Sequence, residues 1–125
     1  MRYVLLAYGD EQQLNGMSST EREALRNACR ANDAALWQSG HLLAVAGLES
    51  SRATTTVRVE NNDMSITVGP LTETGEQLIG IFVIAARDLN EAIQVAATMP
   101  QARHGPIEVR PLMSLDQLSS PTGSD

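Results

Sequence analysis

Two histidines, His41 and His104, are the only side chains in the chain whose ordinary titration falls near neutrality, so they are the first candidates for moving a proton. His41 follows Gly40 at the start of an apolar run, and His104 precedes Gly105-Pro106. Both therefore fall at element ends, where active-site groups tend to lie. The alternative for each is a side chain that only satisfies a turn. Glu73 and Glu76 stand three residues apart after Gly69-Pro70. Carboxylates at that spacing can share a face and push one pKa upward, as acid–base work requires. They serve equally well as solvated loop residues or as negative charge in the first turn of a short helix. Arg58 and Arg110 sit in strand-like patterns, VRV and EVRPL. An Arg directed into a sheet cleft can hold a carboxylate ligand through two parallel hydrogen bonds. Directed outward, the two would pair with Glu60 or Glu108 instead. Tyr8 and Asp10 close the first apolar run and could line the same cleft.

Other chemistries lack the residues they need. All 9 basic residues are Arg and none is Lys, which excludes Schiff-base chemistry, a P-loop lysine and a lysine base. Cys29 stands alone, so neither an internal disulfide nor a cysteine-rich zinc site is available, and its place on an apolar helix stripe predicts an inert thiol. With no HxH, HxxxH or CxxC spacing, no metal site is expected. Without GxGxxG or a P-loop, no nucleotide cofactor is expected either. The net charge of −6 without a basic cluster argues against nucleic acid as a partner. Arg22, Arg26 and Arg30 form a stripe at spacing four that reads as a solvated helix face with Glu23 and Asp33 as counter-charges. No stretch approaches the roughly 20 apolar residues of a membrane helix, and the N-terminal apolar run is too short for a secretory signal, so the expected location is cytoplasmic.

The elements that must position these residues can be read from pattern. Residues 3–8 (YVLLAY) are an apolar run closed by Gly9-Asp10 and predict a buried strand. A polar loop over 10–17 follows. Ser18 with Glu21 has the spacing of a capping box, opening a helix to about Gln38 with Leu25, Ala28, Cys29, Ala35 and Leu36 as its buried stripe. Residues 41–47 predict a second strand. Residues 54–59 and 64–68 alternate around Asn61-Asn62-Asp63 and predict a hairpin. Residues 79–86 (IGIFVIAA) are the most apolar strand. Asp88 and Glu91 form a second capping box for a helix that Met99-Pro100 ends, and 107–112 is a last strand with Pro111 at its end or on an edge. From Ser114 the chain turns polar, which sets a domain over 1–113 and a tail over 114–125.

Without the hairpin the order is βαββαβ, an α+β, ferredoxin-like pattern. Two helices cover only one face of such a sheet, yet YVLLAY and IFVIAA are apolar on both alternating faces. The second face therefore predicts a partner, and the simplest is another copy of the chain: a homodimer with sheets packed face to face.

The blocks RYVLLAYGDE, SGHLLAVAGLESSRATTTVRV, ITVGPLTETGEQLIG and IFVIAARDLNEAIQVAATMPQARHGPIEVRPL resemble, in that order, the YCII-related domain and specifically its DGPF branch, over residues 2–113. The resemblance implies a dimeric α+β barrel of ferredoxin-like subunits, a cleft with a His and an Asp, and genes often encoded beside those of extracytoplasmic-function sigma factors. The signature Asp-Gly-Pro-Phe reads Val68-Gly69-Pro70-Leu71 here, and Glu-Thr-Lys-Glu reads Glu73-Thr74-Gly75-Glu76. A signature Asp acting as acid or base is thus unavailable, while Glu73, Glu76, Asp10 and His104 match the branch. Two functions follow. One is a small organic molecule, anionic if an Arg anchors it, held in a dimer-supported cleft with His104, His41 or Glu73 exchanging protons and Arg58, Arg110, Tyr8, Asp10 and Glu76 binding. The other is a non-catalytic accessory or regulatory module. Convergence of these residues on one concavity separates the two.

Overall fold

The computed structural model describes residues 1–114, so all of the expected tail but Ser114 lies outside the described residues. The chain forms β1 (Arg2–Gly9), α1 (Glu11–Asn15), α2 (Ser19–Gln38), β2 (Leu42–Gly47), β3 (Thr55–Glu60), β4 (Asp63–Val68), β5 (Gln77–Ala85), α3 (Leu89–Thr98) and β6 (Ile107–Pro111), with single 3-10 turns at Ser51–Ala53 and Pro100–Arg103. Four strands make an antiparallel sheet in the order β2-β5-β1-β6, compatible with the ferredoxin-like pattern, while β3 and β4 form a separate two-stranded sheet.

The sheet is built on its two most apolar strands. In β1 and β5, Tyr3, Leu5, Ala7, Phe82 and Ile84 point to one face, where they are buried with Leu36 of α2 and with Ala92, Val95, Ala96 and Met99 at α3. Val4, Leu6, Ile81 and Val83 alternate to the opposite face and are only half-buried. Both helices that flank the sheet therefore serve one side, and among the described residues no second layer covers the other, whose apolar side chains are flanked on β6 by Arg110 and Glu108.

Local signals explain most element limits. Ser18 Oγ accepts the Glu21 N–H at 3.0 Å while Glu21 Oε1 accepts the Ser18 N–H at 3.0 Å, the reciprocal capping box. At α3 the box is incomplete: Asp88 accepts from the Glu91 N–H, but the Glu91 carboxylate reaches back to the Arg87 N–H at 3.0 Å and its guanidinium Nε at 2.6 Å. The polar loop expected over 10–17 contains α1, capped by the Asp10 carboxylate on the Gln12 N–H at 2.9 Å. The buried stripe of α2 is rotated from the expected one. Ala28 and Ala35 are exposed, and Leu25, Cys29, Asn32, Asp33 and Leu36 face inward, so two polar side chains occupy positions that an apolar reading leaves out. In the hairpin turn Asn61 and Asn62 take positive φ of 52° and 67°, a conformation Asn tolerates and two-residue hairpins use.

β6 is an edge strand. Leu112 N–H donates to the Arg2 carbonyl on β1 at 2.9 Å, so the preceding residue, Pro111, turns its nitrogen to the open side and removes no ladder bond. Just before β6, Gly105 lies against β1 so closely that a Cβ there would overlap the Tyr8 carbonyl oxygen.

Candidate functional site

A polar cleft of about 620 Å³ opens where β1 ends. One wall is the Asp10–α1 corner. The second is the Ser51–Ala53 turn, and the third is the Val68-Gly69-Pro70 bend with Glu73 beyond it. Glu11 joins the first two walls: its Oε2 accepts the Ser51 N–H at 2.9 Å and its Oε1 accepts the Ser51 hydroxyl in a short hydrogen bond. Ser50 Oγ accepts the Arg52 N–H at 3.2 Å and starts the turn. At the third wall Gly69 has a φ of 120°, which calls for glycine, and a Cβ there would come 3.2 Å from Glu73 Oε1 and crowd the carboxylate. The charged groups lining the cleft are three carboxylates, Asp10, Glu11 and Glu73, against one guanidinium, Arg52.

A second groove of about 660 Å³ shares Ser50, Ser51, Pro70 and Gln77 with the first and runs toward the open face of the sheet. Its lining is more apolar, with Leu48, Leu71 and Leu78, and it includes Tyr8 and Glu76. The Tyr8 hydroxyl donates to Glu108 Oε1 at 2.8 Å. That bond, then desolvation and the Glu108 charge, raise the Tyr8 pKa, with Arg110 nearby acting in the opposite direction.

The sequence candidates therefore divide. Asp10 and Glu73 line the polar cleft, and Tyr8 and Glu76 line the neighbouring groove. His104 sits near this end of the sheet, capping the Pro100–Arg103 turn with its N–H on the Gln101 carbonyl at 3.0 Å, but it is exposed and lines neither space. His41 is at the opposite end, where its carbonyl accepts the Ala85 N–H. There its Nδ1 lies 2.7 Å from Ser39 Oγ and its Nε2 3.4 Å from Glu91 Oε1. Arg58 is exposed on β3 opposite Ser65, and Arg110 lies exposed on β6 opposite Val4. Neither Arg forms an ion pair among the described residues, so the outward pairing with Glu60 or Glu108 is not made either. The two histidines and the two arginines do not converge on one concavity.

Two partly buried groups of α2, outside the candidates, have pKa values raised by burial. Burial raises the Asp33 carboxyl, beside a small cavity of about 200 Å³ under α2. Burial, and then the Asp33 charge, raise the Cys29 thiol, which keeps it in the poorly nucleophilic protonated form. Among the described residues no group of three or more His, Cys, Asp or Glu is arranged to hold a metal.

The sequence reading missed Glu11, Ser50, Ser51 and Arg52. Asp10-Glu11 at a strand end and the SSR triplet were visible, but nothing in one chain shows that residues forty apart are hydrogen-bonded. A family model described as the YCII-related domain matches residues 1–116. The chain is also similar to the uncharacterized protein R00369 of Rhizobium meliloti (strain 1021), with 33% identity over 114 residues that cover 90% of this chain and 92% of that protein.

Proposed function

The chain belongs to the YCII-related family, and on that premise we propose that it is a homodimeric binding protein for a small, hydrogen-bonding organic molecule held in the cleft between Asp10, Ser51 and Gly69. The observation that carries this reading is the composition of the cleft walls. Three carboxylates face one guanidinium among Ser, Asn and Gln side chains. Such walls repel a small acid and favour a neutral polyol or amide, or an amine or guanidinium. This replaces the anionic ligand implied by an Arg58 or Arg110 anchor, since neither lines the cleft. With His41 and His104 also outside it, binding rather than histidine-based turnover is the function assigned, and Glu73 is the cleft group best placed to exchange a proton.

Further features support the reading. The Val68-Gly69-Pro70-Leu71 segment, which replaces the signature of the DGPF branch, supplies both the cleft and the groove with wall residues. That placement, with the sequence blocks, supports assignment to the DGPF branch. The uncovered layer of Val4, Leu6, Ile81 and Val83 supports a homodimer closed through the sheets. No helix among the described residues is long and apolar enough to cross a membrane; a cytoplasmic location belongs to the proposal. The second reading, a regulatory module attached to an extracytoplasmic-function sigma factor, is favoured by the exposed apolar hairpin.

A thermal-shift screen tests the cleft. Small amines, polyols, amides and acids are added to the wild type and to Glu73→Gln and Arg52→Ala variants. A ligand at about a hundred times its Kd stabilises by about 2.7 kcal/mol, a rise of several degrees in Tm for a domain of this size. An amine or polyol that stabilises the wild type and loses its effect in Glu73→Gln supports the reading. Stabilisation by acids alone, or hits indifferent to both substitutions, overturns it.

A further inference from the structure

Two opposite charges line the polar cleft without meeting. Arg52 comes from the Ser51–Ala53 turn, and Glu73 from the loop beyond Gly69-Pro70. Neither side chain makes a hydrogen bond or an ion pair among the described residues, with the other or with any third group. The remaining charged groups of the cleft are already engaged. Glu11 places both oxygens on the N–H and the hydroxyl of Ser51, and Asp10 holds the Gln12 N–H. Thr74 and Gly75 also line the cleft beside Glu73 and add no charge to compete for it.

Both unmatched groups stand on braced backbone. Ser50 Oγ accepts the Arg52 N–H at the start of its turn, and Glu11 ties that turn to α1. On the other wall Gln77 Nε2 donates to the Thr72 carbonyl at 2.7 Å and closes the loop that carries Glu73. Thr56 Oγ1 donates to the Gly69 carbonyl at 2.7 Å and fixes the bend before that loop. A guanidinium and a carboxylate are thus presented from different walls of one space of about 620 Å³, large enough for a small organic molecule between them.

The ligand that matches this pair carries both charges. A simple amine pairs with Glu73 and leaves Arg52 to water. A simple acid pairs with Arg52 but enters a space holding three carboxylates, and a phosphate ester brings still more negative charge. A neutral polyol engages neither charge as an ion. A molecule with an ammonium at one end and a carboxylate at the other engages both, and the guanidinium can take that carboxylate through two parallel hydrogen bonds. Arg52 and Glu73 are exposed, so either ion pair alone is screened and weak. Selectivity therefore comes from meeting both charges at once.

We propose that the cleft selects zwitterions: its ligand is a free amino acid or a close relative, with its ammonium on Glu73 and its carboxylate on Arg52. This rests on the binding cleft proposed above and names the chemical class it takes.

Calorimetric titration of the full chain tests this with three matched panels. The first is free amino acids. The second is the corresponding amines, which lack the carboxylate, and the third is the N-acetyl amino acids, which lack the ammonium. At least one free amino acid is expected to bind about ten-fold or more tightly than its amine and its N-acetyl form. Arg52→Ala is expected to erase the preference over the amine, and Glu73→Gln the preference over the N-acetyl form. Amines that bind as tightly as their amino acids, or polyols that bind where amino acids do not, overturn the zwitterion and leave the cleft standing. Preferences that survive both substitutions overturn the assignment to these two residues. Silence from every amino acid, amine, amide and polyol overturns the cleft as well. Both residues are exposed, so the variants are expected to keep the wild-type circular dichroism spectrum. Should one lose its fold, the three panels on the wild type decide alone.

Discussion

The four-stranded sheet and the β3–β4 ribbon alternate apolar and other residues in the same way, and their surroundings differ completely. In β1 and β5 each residue of one alternating set is nearly or fully inaccessible, under α2 and α3. In the ribbon the equivalent set is more than half exposed at each large side chain. Alternation tells which side of a strand wants cover, but cover itself comes from elements elsewhere in the chain or from another molecule. The body of the domain has helices for one side of its sheet, while among the described residues no helix is laid over the ribbon.

Substitutions in the two regions should therefore differ in cost, and four of them sharpen or break the contrast. The largest effect is expected at Gly105→Ala, where the new Cβ overlaps backbone rather than a flexible side chain. Chemical denaturation should show a loss of more than about 4 kcal/mol, or no folded protein. Leu5→Ala, at a fully buried position between β5 and β6, should cost about 3 kcal/mol by the same measurement. Glu91→Gln has a smaller effect that depends on pH. The Arg87 backbone N–H, and then its guanidinium, hold the Glu91 carboxyl below its ordinary value of 4.5. A lowered folded-state pKa gives stability that is present above that value and lost as the pH falls through the folded one. The wild type should lose stability more steeply than Glu91→Gln as the pH drops below 4.5, and parallel acid curves would refute the contact. Val57→Thr should be the mildest, within about 0.5 kcal/mol in dilute protein. If it matches Leu5→Ala under those conditions, the ribbon is covered within its own chain and the contrast fails.

Much of the architecture was legible because it rests on short-range signals. YVLLAY and IGIFVIAA announced the central strands, Ser18 with Glu21 announced the start of α2, and the Asn pair announced the hairpin turn. What escaped reading depends on distance or on a mixed role. A five-residue helix capped by Asp10 carries too little periodicity to be seen. Asn32 and Asp33 face inward on α2 because the helix must present one continuous side to the sheet, whatever residues stand on it. Glu91 bonds one residue further back than a capping box requires because Arg87 offers both a backbone and a side-chain donor. The site was the least legible part. Asp10 and Glu73, which line the cleft, were singled out because carboxylates at element ends are conspicuous. Glu11 and the serine turn it holds were not, because their partnership spans forty residues. The histidines stood out by rarity, a property of composition that says nothing about where the chain places them.

The proline near the end of β6 governs what the sheet can become. Its nitrogen faces the outer side of that strand and offers no donor there, so a strand from another molecule laid along that rim would find a gap in its ladder. Lateral growth of the sheet into open-ended fibrils is blunted at this border.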